Sequence, residues 1–384
     1  MQKFIRLRLF LSVLACFCML GGLSWGEEKA PAIPAMLLAQ ASSRPAPKGA
    51  ELATLIKAAK GEGEFNIVLG GMGPQAMWDE LGKLAKAKYG IDVNYIYTSG
   101  PNLSQSASRL MQEAKAGQPS SSDGLVLSSR LAMAAARAKA VERVKWRQLD
   151  PGIPQDIINQ ETGGLVIGGT NGGILYNTNL VKRDDLPQSV DDLLHPKYKG
   201  KIISTSVASQ WSELAILEGE EKVTRIITEI VKNGNVVGVL PGCGEIDVVA
   251  SGQYAMQVFF CNMFQVEAYA KRTGAPVAGA FFKTSRWVTP YDWVVPRISR
   301  RPNLARLTGI LLATPEAQKI LHEGRQISSP YLPGSALHEF VQESRKAGVK
   351  LLLVTPELEK KHERLWTGEV RRNWQRILRG ASPR

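Results

Sequence analysis

The sequence predicts an α/β fold of two lobes, each a central, mostly parallel sheet flanked by helices, with hinge strands crossing between the lobes. Apolar strand-like runs alternate with helical periodicity from about residue 51 onward, a pattern typical of such sheets. About 335 residues lie in this region, enough for two domains of ordinary size. Residues 163–176 are apolar and carry paired glycines, which indicates a crossing where glycines can absorb hinge rotation.

The start of the chain predicts export. Residues 1–26 have the pattern of a signal peptide, because three basic residues precede the apolar run 9–23 and small residues follow it at 24–26. A transmembrane anchor is the alternative, but this run is shorter than the ~20 apolar residues that a membrane span needs. Lipid attachment at Cys16 is a third reading, which Leu14 fits poorly. We therefore expect a periplasmic protein, with a lipid anchor disfavoured.

Residues 27–49 are rich in Ala and Pro without a sustained period, which is typical of a flexible leader.

The charge of the chain favours anionic partners. The formal net charge is +13, and the predicted signal peptide carries three positive charges and no acid, so the mature chain is at 13 − 3 = +10. A basic surface attracts anionic solutes, anionic membranes or nucleic acid, although such a charge also serves solubility alone. The aromatic and basic residues do not form a stacking platform, so we expect no nucleic-acid partner.

Two of the four cysteines belong to the mature chain. Cys16 and Cys18 leave with the signal peptide, whereas Cys243 and Cys261 reach a compartment that permits disulfides. The sequence leaves two possibilities open for this pair, a disulfide or two buried thiols.

In the first predicted lobe, three strands in a row end in small, hydrogen-bonding residues that precede helices. Gly71 follows the first strand, Thr98 and Ser99 end the second, and Ser128 and Ser129 end the third. Ligands of open parallel sheets sit beyond the carboxyl ends of the strands, where amide groups and helix dipoles favour anions. Ordinary helix capping explains each residue singly, so the prediction of a binding crevice rests on the three together.

Gly71 also belongs to a relaxed dinucleotide-binding pattern, G-x-G-x-x-A, with Gly73 and Ala76. That motif requires an acid at the end of the next strand to hold the ribose. Asp92 stands at the beginning of that strand instead. We therefore expect no nucleotide cofactor.

The second predicted lobe offers a similar cluster. Ser204, Thr205 and Ser206 follow a strand and precede a helix, so their hydroxyls and amides are suited to meet a ligand. Asn262 follows a later strand, 252–260, in the same way. Tyr291 and Asp292 lie near the strand that returns to the first lobe. The predicted ligand-binding residues are Gly71, Thr98, Ser99, Ser128, Ser129, Ser204, Thr205, Ser206 and Asn262, with Tyr291 and Asp292 as secondary candidates.

Residues 174–202 carry the most specific motif of the chain, ILYNTNLVKRDDLPQSVDDLLHPKYKGKI. An apolar strand stops at Asn177, Leu186-Pro187 extends the chain, and Ser189 is predicted to cap a short helix before the next strand. This sequence resembles that of the extracellular solute-binding proteins of ABC importers, in the branch that includes ferric-iron and polyamine binders. The sequences AAKGEGEFNIVL at 58–69 and ATPEAQKIL at 313–321 resemble the same family.

The resemblance implies a type II periplasmic binding fold. It places the first lobe at 50–170 plus 283–330 and the second at 171–282, with a C-terminal helical region, 331–384, whose lobe the sequence does not assign. It further implies a monomer that closes by hinge motion on a small solute and delivers it to a membrane permease.

Ferric binders of this branch carry two adjacent tyrosines after the strand that corresponds to 252–260. Here Met263 and Phe264 follow Asn262, so the tyrosinate ligands for iron are missing at this position and we predict no metal site. The strand ends and the net charge favour an anionic or zwitterionic solute, with ferric iron or an anionic iron chelate as the alternative. Cationic polyamines need several carboxylates, and Asp292 is a single acid among aromatic residues.

Enzyme motifs are missing. Three His-Glu pairs occur, but none has the second histidine that a zinc-protease helix requires, and no G-x-S-x-G is present. We therefore expect a binding protein without cofactor or catalytic residues. An exported hydrolase with an unrecognised site remains the rival class.

Overall fold

The computed structural model describes residues 49–205, 209–240 and 243–381. The predicted signal peptide, nearly all of the predicted leader and Ser206 lie outside the described residues. Within the described ranges, no helix is long and apolar enough to cross a membrane.

Strands and helices alternate through most of the described chain. The strands are β1 (Glu64–Val68), β2 (Asn94–Thr98), β3 (Leu125–Ser128), β4 (Ile158–Asn159), β5 (Gly164–Asn171), β6 (Gly173–Asn177), β7 (Ile202–Thr205), β8 (Val236–Leu240), β9 (Met256–Phe260), β10 (Val277–Ala280), β11 (Ser285–Val294) and β12 (Lys350–Leu353). The α-helices are α1 (Ala50–Lys60), α2 (Gln75–Tyr89), α3 (Leu103–Lys115), α4 (Ser129–Arg137), α5 (Trp146–Leu149), α6 (Ser209–Glu218), α7 (Glu220–Lys232), α8 (Ile246–Ala250), α9 (Met263–Thr273), α10 (Pro302–Leu312), α11 (Pro315–Arg325), α12 (Ala336–Lys346), α13 (Pro356–Lys361), α14 (Glu363–Thr367) and α15 (Glu369–Arg379).

Sheet I is organised around the long strand β11. One edge of β11 pairs with β5, which in turn pairs with the short strand β4. The other edge pairs with β12 over one half of its length and with β3 over the other half. The parallel pair β1–β2 lies beside β3, because the amide of Asp123 donates to the carbonyl of Asn66 at 2.8 Å. We call sheet I with β1, β2 and helices α1–α5 and α10–α12 the first unit.

Sheet II has the strand order β10-β6-β9-β7-β8. Strand β7 lies between β9 and β8 and runs parallel to both, so these three strands end at the same edge. Helices α6–α9 belong to this sheet, and we call the assembly the second unit.

The prediction of mostly parallel sheets is corrected by the pairing. Strand β11 runs antiparallel to β3 and β5, and β6 runs antiparallel to β9 and β10. Parallel pairs need a helical crossover between their strands. The chain instead passes directly from one sheet to the other through β5, β6 and β11. These strands therefore run antiparallel to their neighbours in the sheet.

The chain passes from sheet I to sheet II between β5 and β6. Strand β5 ends at Asn171 in sheet I and β6 begins at Gly173 in sheet II, with Gly172 as the only residue between them. A Cβ atom at Gly172 would lie 2.4 Å from the indole nitrogen of Trp287, so the close packing at this crossing requires glycine. The chain returns between β10 and β11.

The C-terminal segment contacts both units. Strand β12 pairs with β11 in sheet I, whereas Trp374 of α15 is fully buried in the core of the second unit. Its indole nitrogen donates to the hydroxyl of Thr224 on α7 at 2.8 Å.

Two local predictions are also corrected. Ser189 caps no helix; its own amide and that of Gln188 donate to the carboxylate of Asp192, which organises a 3-10 turn at Asp191–Leu194. The helical periodicity over residues 217–235 predicts a single helix, but the structure has the end of α6 followed by α7, separated by Gly219 at φ +96°.

Candidate ligand site between the two units

The loops after β1 and β2 are joined by their backbones. The amide of Gly70 donates to the carbonyl of Pro101 at 2.8 Å, and a Cβ atom at Gly70 would lie 2.9 Å from that oxygen. Gly71, Thr98 and Ser99 are exposed beside this contact, at the same edge of the first unit. The predicted residues from these two strands are therefore neighbours.

Arg325, which the sequence analysis did not single out, lies against this edge. It is the last residue of α11, and the preceding Gly324 lets α11 approach α2, because a Cβ atom there would lie 2.6 Å from the side chain of Met77. The next residue, Gln326, ends the helix with φ +56°. In this position the Arg325 guanidinium donates to the carbonyl oxygen of Gly71.

The Arg325 side chain also contacts the second unit. With its amide oxygen turned toward the guanidinium, Gln265 of α9 accepts hydrogen bonds from Arg325. Arg325 is half-buried, and this burial lowers the pKa of its guanidinium from the ordinary value. Among the described residues, the groups that act on its charge are the phenols of Tyr291 and Tyr97, with no carboxylate among them. Arg325 is thus a cation between the units that lacks an acidic partner in the described part of the chain.

Both phenols are held by the first unit. The Tyr97 hydroxyl accepts from the amide of Met72 at 3.3 Å, and the Tyr291 hydroxyl lies 3.5 Å from that of Thr170. Burial raises the pKa of Tyr291, so its phenol keeps the proton at neutral pH. A neutral phenol beside a guanidinium adds a hydrogen-bond donor to the site.

Ser128 lies beside Tyr291, since the two residues pair across β3 and β11. Ser129 is turned into the protein, where its hydroxyl donates to a carboxylate oxygen of Asp292 at 2.8 Å. Asp292 is fully buried and also accepts from Asn159 at 2.6 Å and Thr162 at 2.9 Å. Burial raises the pKa of Asp292 to about 6 in spite of these three donors. Ser129 and Asp292 are thus already engaged with each other.

In the second unit, Ser204 and Thr205 end the central strand β7 and are both buried. The hydroxyl of Ser204 has no hydrogen-bond partner among the described residues. Asn262 caps α9 by accepting from the amide of Phe264 at 3.1 Å. Its side-chain amide donates to the carbonyl of Gln326 at 2.9 Å, which is a direct bond between the units.

Cys243 and Cys261 form a disulfide, with 5.3 Å between their Cα atoms. It connects the loop after β8 to the residue that follows β9.

A second buried acid lies between the units. Glu213 of α6 is 1% exposed and accepts from the hydroxyl of Thr289 on β11 at 2.6 Å, while its other carboxyl oxygen has no partner among the described residues. Burial raises the pKa of Glu213 to about 8, although the charge of Arg130 acts in the opposite direction. No periodicity or motif marked Glu213, Arg325 or Gln265, because their significance depends on what faces them in space.

The structure thus brings Gly71 and Tyr291 near Arg325, with Ser128 beside Tyr291 and with Thr98 and Ser99 at the same edge as Gly71. A guanidinium with neighbouring phenols is a set of charge-assisted and neutral donors suited to a carboxylate, a phosphonate or another oxyanion. In the described ranges, no three His, Cys, Asp or Glu side chains are grouped as a metal site would require.

Comparison with known proteins identifies the family. Residues 122–352 match the bacterial extracellular solute-binding protein family, so the chain belongs to that family, and the resemblance seen in the sequence is confirmed. As a member of that family, the chain is an extracellular solute-binding protein, a binding protein and not an enzyme. The comparison with curated protein sequences returned no match.

Solved structures share the fold. The substrate-binding protein of an ABC transporter from Agrobacterium tumefaciens is similar at a TM-score of 0.64 with 17% identity, covering 84% of this chain and 97% of that one. Iron-bound HitA from Pseudomonas aeruginosa is similar at 0.59 with 17% identity over 82% and 99%. The Trichodesmium protein IdiA (FutA) in complex with iron and citrate is similar at 0.58 with 18% identity over 82% and 98%. These likenesses establish an α/β periplasmic-binding-protein-like fold.

Proposed function

We propose that the chain captures an anionic or zwitterionic solute between the two units, with Arg325 as the main contact for the negative group. The observation that carries this proposal is the half-buried guanidinium, which contacts Gly71 from one side and Gln265 from the other and has no acidic partner among the described residues. Desolvating a cation is costly unless an anion compensates it. A bound solute would supply that anion.

The remaining predicted residues divide into two groups in this proposal. We assign Gly71, Thr98, Ser99, Ser128 and Tyr291 to contact with the solute beside Arg325, and Ser204 and Thr205, together with Ser206, to contact from the second unit, where Ser204 offers an unengaged hydroxyl. Ser129, Asp292 and Asn262 are bonded to other protein groups, so we assign them a role in shaping the site.

Binding is proposed to proceed by hinge closure of the predicted lobes, 50–170 plus 283–330 around 171–282. Polar contacts that join the units include Glu213 to Thr289, Asn262 to Gln326, and Gln265 to Arg325. Contacts that complete only on closure let the solute shift the equilibrium toward the closed form. The predicted signal peptide supports a periplasmic location, and a permease in the inner membrane would accept the solute from a monomeric binding protein.

Ferric iron, free or as an anionic chelate, is the second candidate solute. Two of the similar structures, from Pseudomonas aeruginosa and Trichodesmium, hold iron, and the latter also holds citrate. Met263 and Phe264 stand where the resemblance implies a tyrosine pair in ferric binders, which favours a chelate over the bare ion. A negatively charged ferric chelate would meet Arg325 as an organic anion does.

The test is a thermal-shift screen of the mature protein against phosphonates, carboxylates, amino acids, polyamines, ferric citrate and ferric ion. A solute at roughly a hundredfold its Kd stabilises the folded state by about 2.7 kcal/mol. Arg325→Gln should abolish the stabilisation by the active anion, and Ser99→Ala should weaken it. Arg147→Gln, at an exposed arginine of α5, is the matched control and should leave it unchanged.

Three outcomes would contradict the proposal. Stabilisation by polyamines alone would overturn the anionic assignment. An Arg325→Gln variant that responds like the Arg147→Gln control would move the site elsewhere. Turnover of any screened compound would favour the hydrolase reading over a binding protein.

A further inference from the structure

The Cys243–Cys261 disulfide lies at the end of the strand that carries Ser204 and Thr205, two of the second unit's predicted ligand residues. Strand β7 lies between β8 and β9, and all three end at the same edge of sheet II. Two strands that flank a third are about 9.6 Å apart, twice the ordinary strand spacing. The Cα atoms of the two cysteines are 5.3 Å apart, and the carbonyl of Cys243 meets Gln257 of β9, so Cys243 lies across the end of β7 from β8.

The bridge is tied to its surroundings on both sides. The side-chain amide of Gln210, at the start of α6, donates to the sulfur of Cys261 at 3.1 Å. The side-chain amide of Gln257 donates to the carbonyl of Cys243 at 2.7 Å. Gln257 pairs with Ile203 across β9 and β7, which places this contact one residue before Ser204. The disulfide thus connects β8, β9 and the first turn of α6 around the end of β7.

Gly244 accommodates this crossing. It has φ +87°, and a Cβ atom there would lie 2.2 Å from the Gln257 side-chain amide. The loop is therefore pressed against Gln257 in a backbone conformation that favours glycine.

We propose that the disulfide is a redox-responsive positioning element of the solute site. In the oxidised protein it holds the carboxyl end of β7 and the start of α6 in the geometry that meets the solute. Opening it releases the loop after β8, frees Ser204 and Thr205 to move, and weakens solute binding while the first unit stays intact. The link to binding rests on the proposed function; the effect on local order does not.

The opening reaction is thiol–disulfide exchange with a dithiol. Cys243 is exposed, so a thiolate of the dithiol can attack its sulfur and form a mixed disulfide while Cys261 leaves as a thiolate and takes up a proton. The second thiol of the reagent then displaces Cys243. The dithiol becomes a cyclic disulfide, and the protein gains two electrons and two protons as two thiols.

Hydrogen exchange of the mature protein, with and without dithiothreitol, tests the local effect. We expect amide exchange at Ser204, Thr205 and Gln210 to rise at least about tenfold on reduction, because their opening becomes independent of the rest of sheet II. Peptides from β5 in sheet I should not change. The Cys243→Ser/Cys261→Ser variant should match the reduced protein and should not respond further to the dithiol.

Equal exchange in both redox states would overturn the proposal, and so would a rise spread evenly over both units, which would indicate global destabilisation. If the serine variant fails to fold, reduction of the wild-type protein at a temperature well below its melting point provides the same comparison.

The effect of the disulfide on solute binding is tested by titration calorimetry with citrate and ferric citrate as probes. For a probe that binds the oxidised protein, reduction should raise Kd at least about tenfold, and Kd after re-oxidation should return to its first value. An unchanged Kd beside faster exchange at β7 would show that the bridge orders the strand without positioning the solute, which contradicts the proposal. If neither probe binds the oxidised protein, the anion assignment fails for these probes, and the exchange experiment still decides the role of the bridge.

Discussion

At the scale of single residues, the surroundings of a side chain decide its chemistry here. Arg325 and the exposed Arg147 are the same residue type, yet burial between two units lowers the pKa of the Arg325 guanidinium and leaves it facing two phenols. Glu213 and Asp292 are both buried acids, but Asp292 has three donors and Glu213 has one hydroxyl. The pKa of Asp292 is raised to about 6 and that of Glu213 to about 8, which follows the difference in the number of donors.

Glu213 makes the stability of the fold depend on pH. Its pKa is about 8 in the folded protein against an ordinary 4.5, so the folded state retains a proton between these values that the unfolded state loses. The free energy of unfolding should therefore fall as pH rises from about 4.5 to about 8 and level off above that. Glu213→Gln should make this slope shallower, by at most about 1.4 kcal/mol per pH unit.

Urea titrations of the wild type and the variant between pH 5 and pH 9 measure this slope. Glu359, whose pKa is also raised to about 8 by burial, contributes in the same direction, so part of the slope should persist in Glu213→Gln. Parallel curves for the two proteins would show that Glu213 ionises normally.

Gly124 is required by packing in the first core. A Cβ atom there would lie 2.3 Å from the ring of Trp293 and 3.1 Å from Phe65, two fully buried side chains that stack on each other. Gly124→Ala should lower the free energy of unfolding by about 1–3 kcal/mol, because neither ring has space to move.

Gly61→Ala is the control for Gly124→Ala, measured by urea unfolding alongside it. The backbone at Gly61 is ordinary for an alanine, with φ −82°, and the new methyl group would meet only one carbonyl oxygen at 3.7 Å. We expect a change within about 0.5 kcal/mol there. A comparable loss in both variants would attribute the effect to something other than the contact with Trp293.

At the scale of elements, the C-terminal segment belongs to the packing of both units. Strand β12 extends sheet I, while α14 and α15 cover the core of the second unit with Leu365, Trp366, Trp374 and Leu378. A helix at the end of a chain holds its place only through such burial, since its own hydrogen bonds are marginal in water.

Trp374→Ala should therefore destabilise the protein by about 3–5 kcal/mol. The side chain is fully buried, and its indole nitrogen bonds to Thr224, so the change creates a cavity and removes a partner from α7. Arg376→Ala, on the exposed side of the same helix, should have little effect. Chemical denaturation compares the two, and equal losses would mean that α15 is not docked through Trp374.

At the scale of the whole molecule, the contacts between the units predict closure by the solute. Addition of the anion identified by the screen should reduce the radius of gyration in small-angle X-ray scattering, because the bound anion holds Arg325 and the second unit together. Arg325→Gln should not respond. A solute that binds tightly without changing the radius of gyration would argue against hinge closure in this protein.

Much of the architecture was predictable because it depends on local chemistry. Apolar runs predicted strands before Gly71 and before Ser99, where β1 and β2 lie, and the motifs at 174–202, 58–69 and 313–321 predicted the family. Strand direction in the sheets was not predictable this way. An apolar strand has the same pattern whether its neighbour runs parallel or antiparallel, so the antiparallel pairing of β5, β6 and β11 appears only in the assembled sheets.

For the candidate site, the sequence by itself determined which strand ends carry small polar residues, because turns and helix starts select Gly, Ser, Thr and Asn locally. Only the tertiary structure decided how these residues are used. In the folded chain, Ser129 donates a hydrogen bond to Asp292 and Asn262 donates one to the carbonyl of Gln326. Arg325, at the end of a helix distant in sequence, donates to the carbonyl of Gly71. The physical reason is that a partner 64 to 254 residues away leaves no trace in local periodicity, whereas burial and charge act through space.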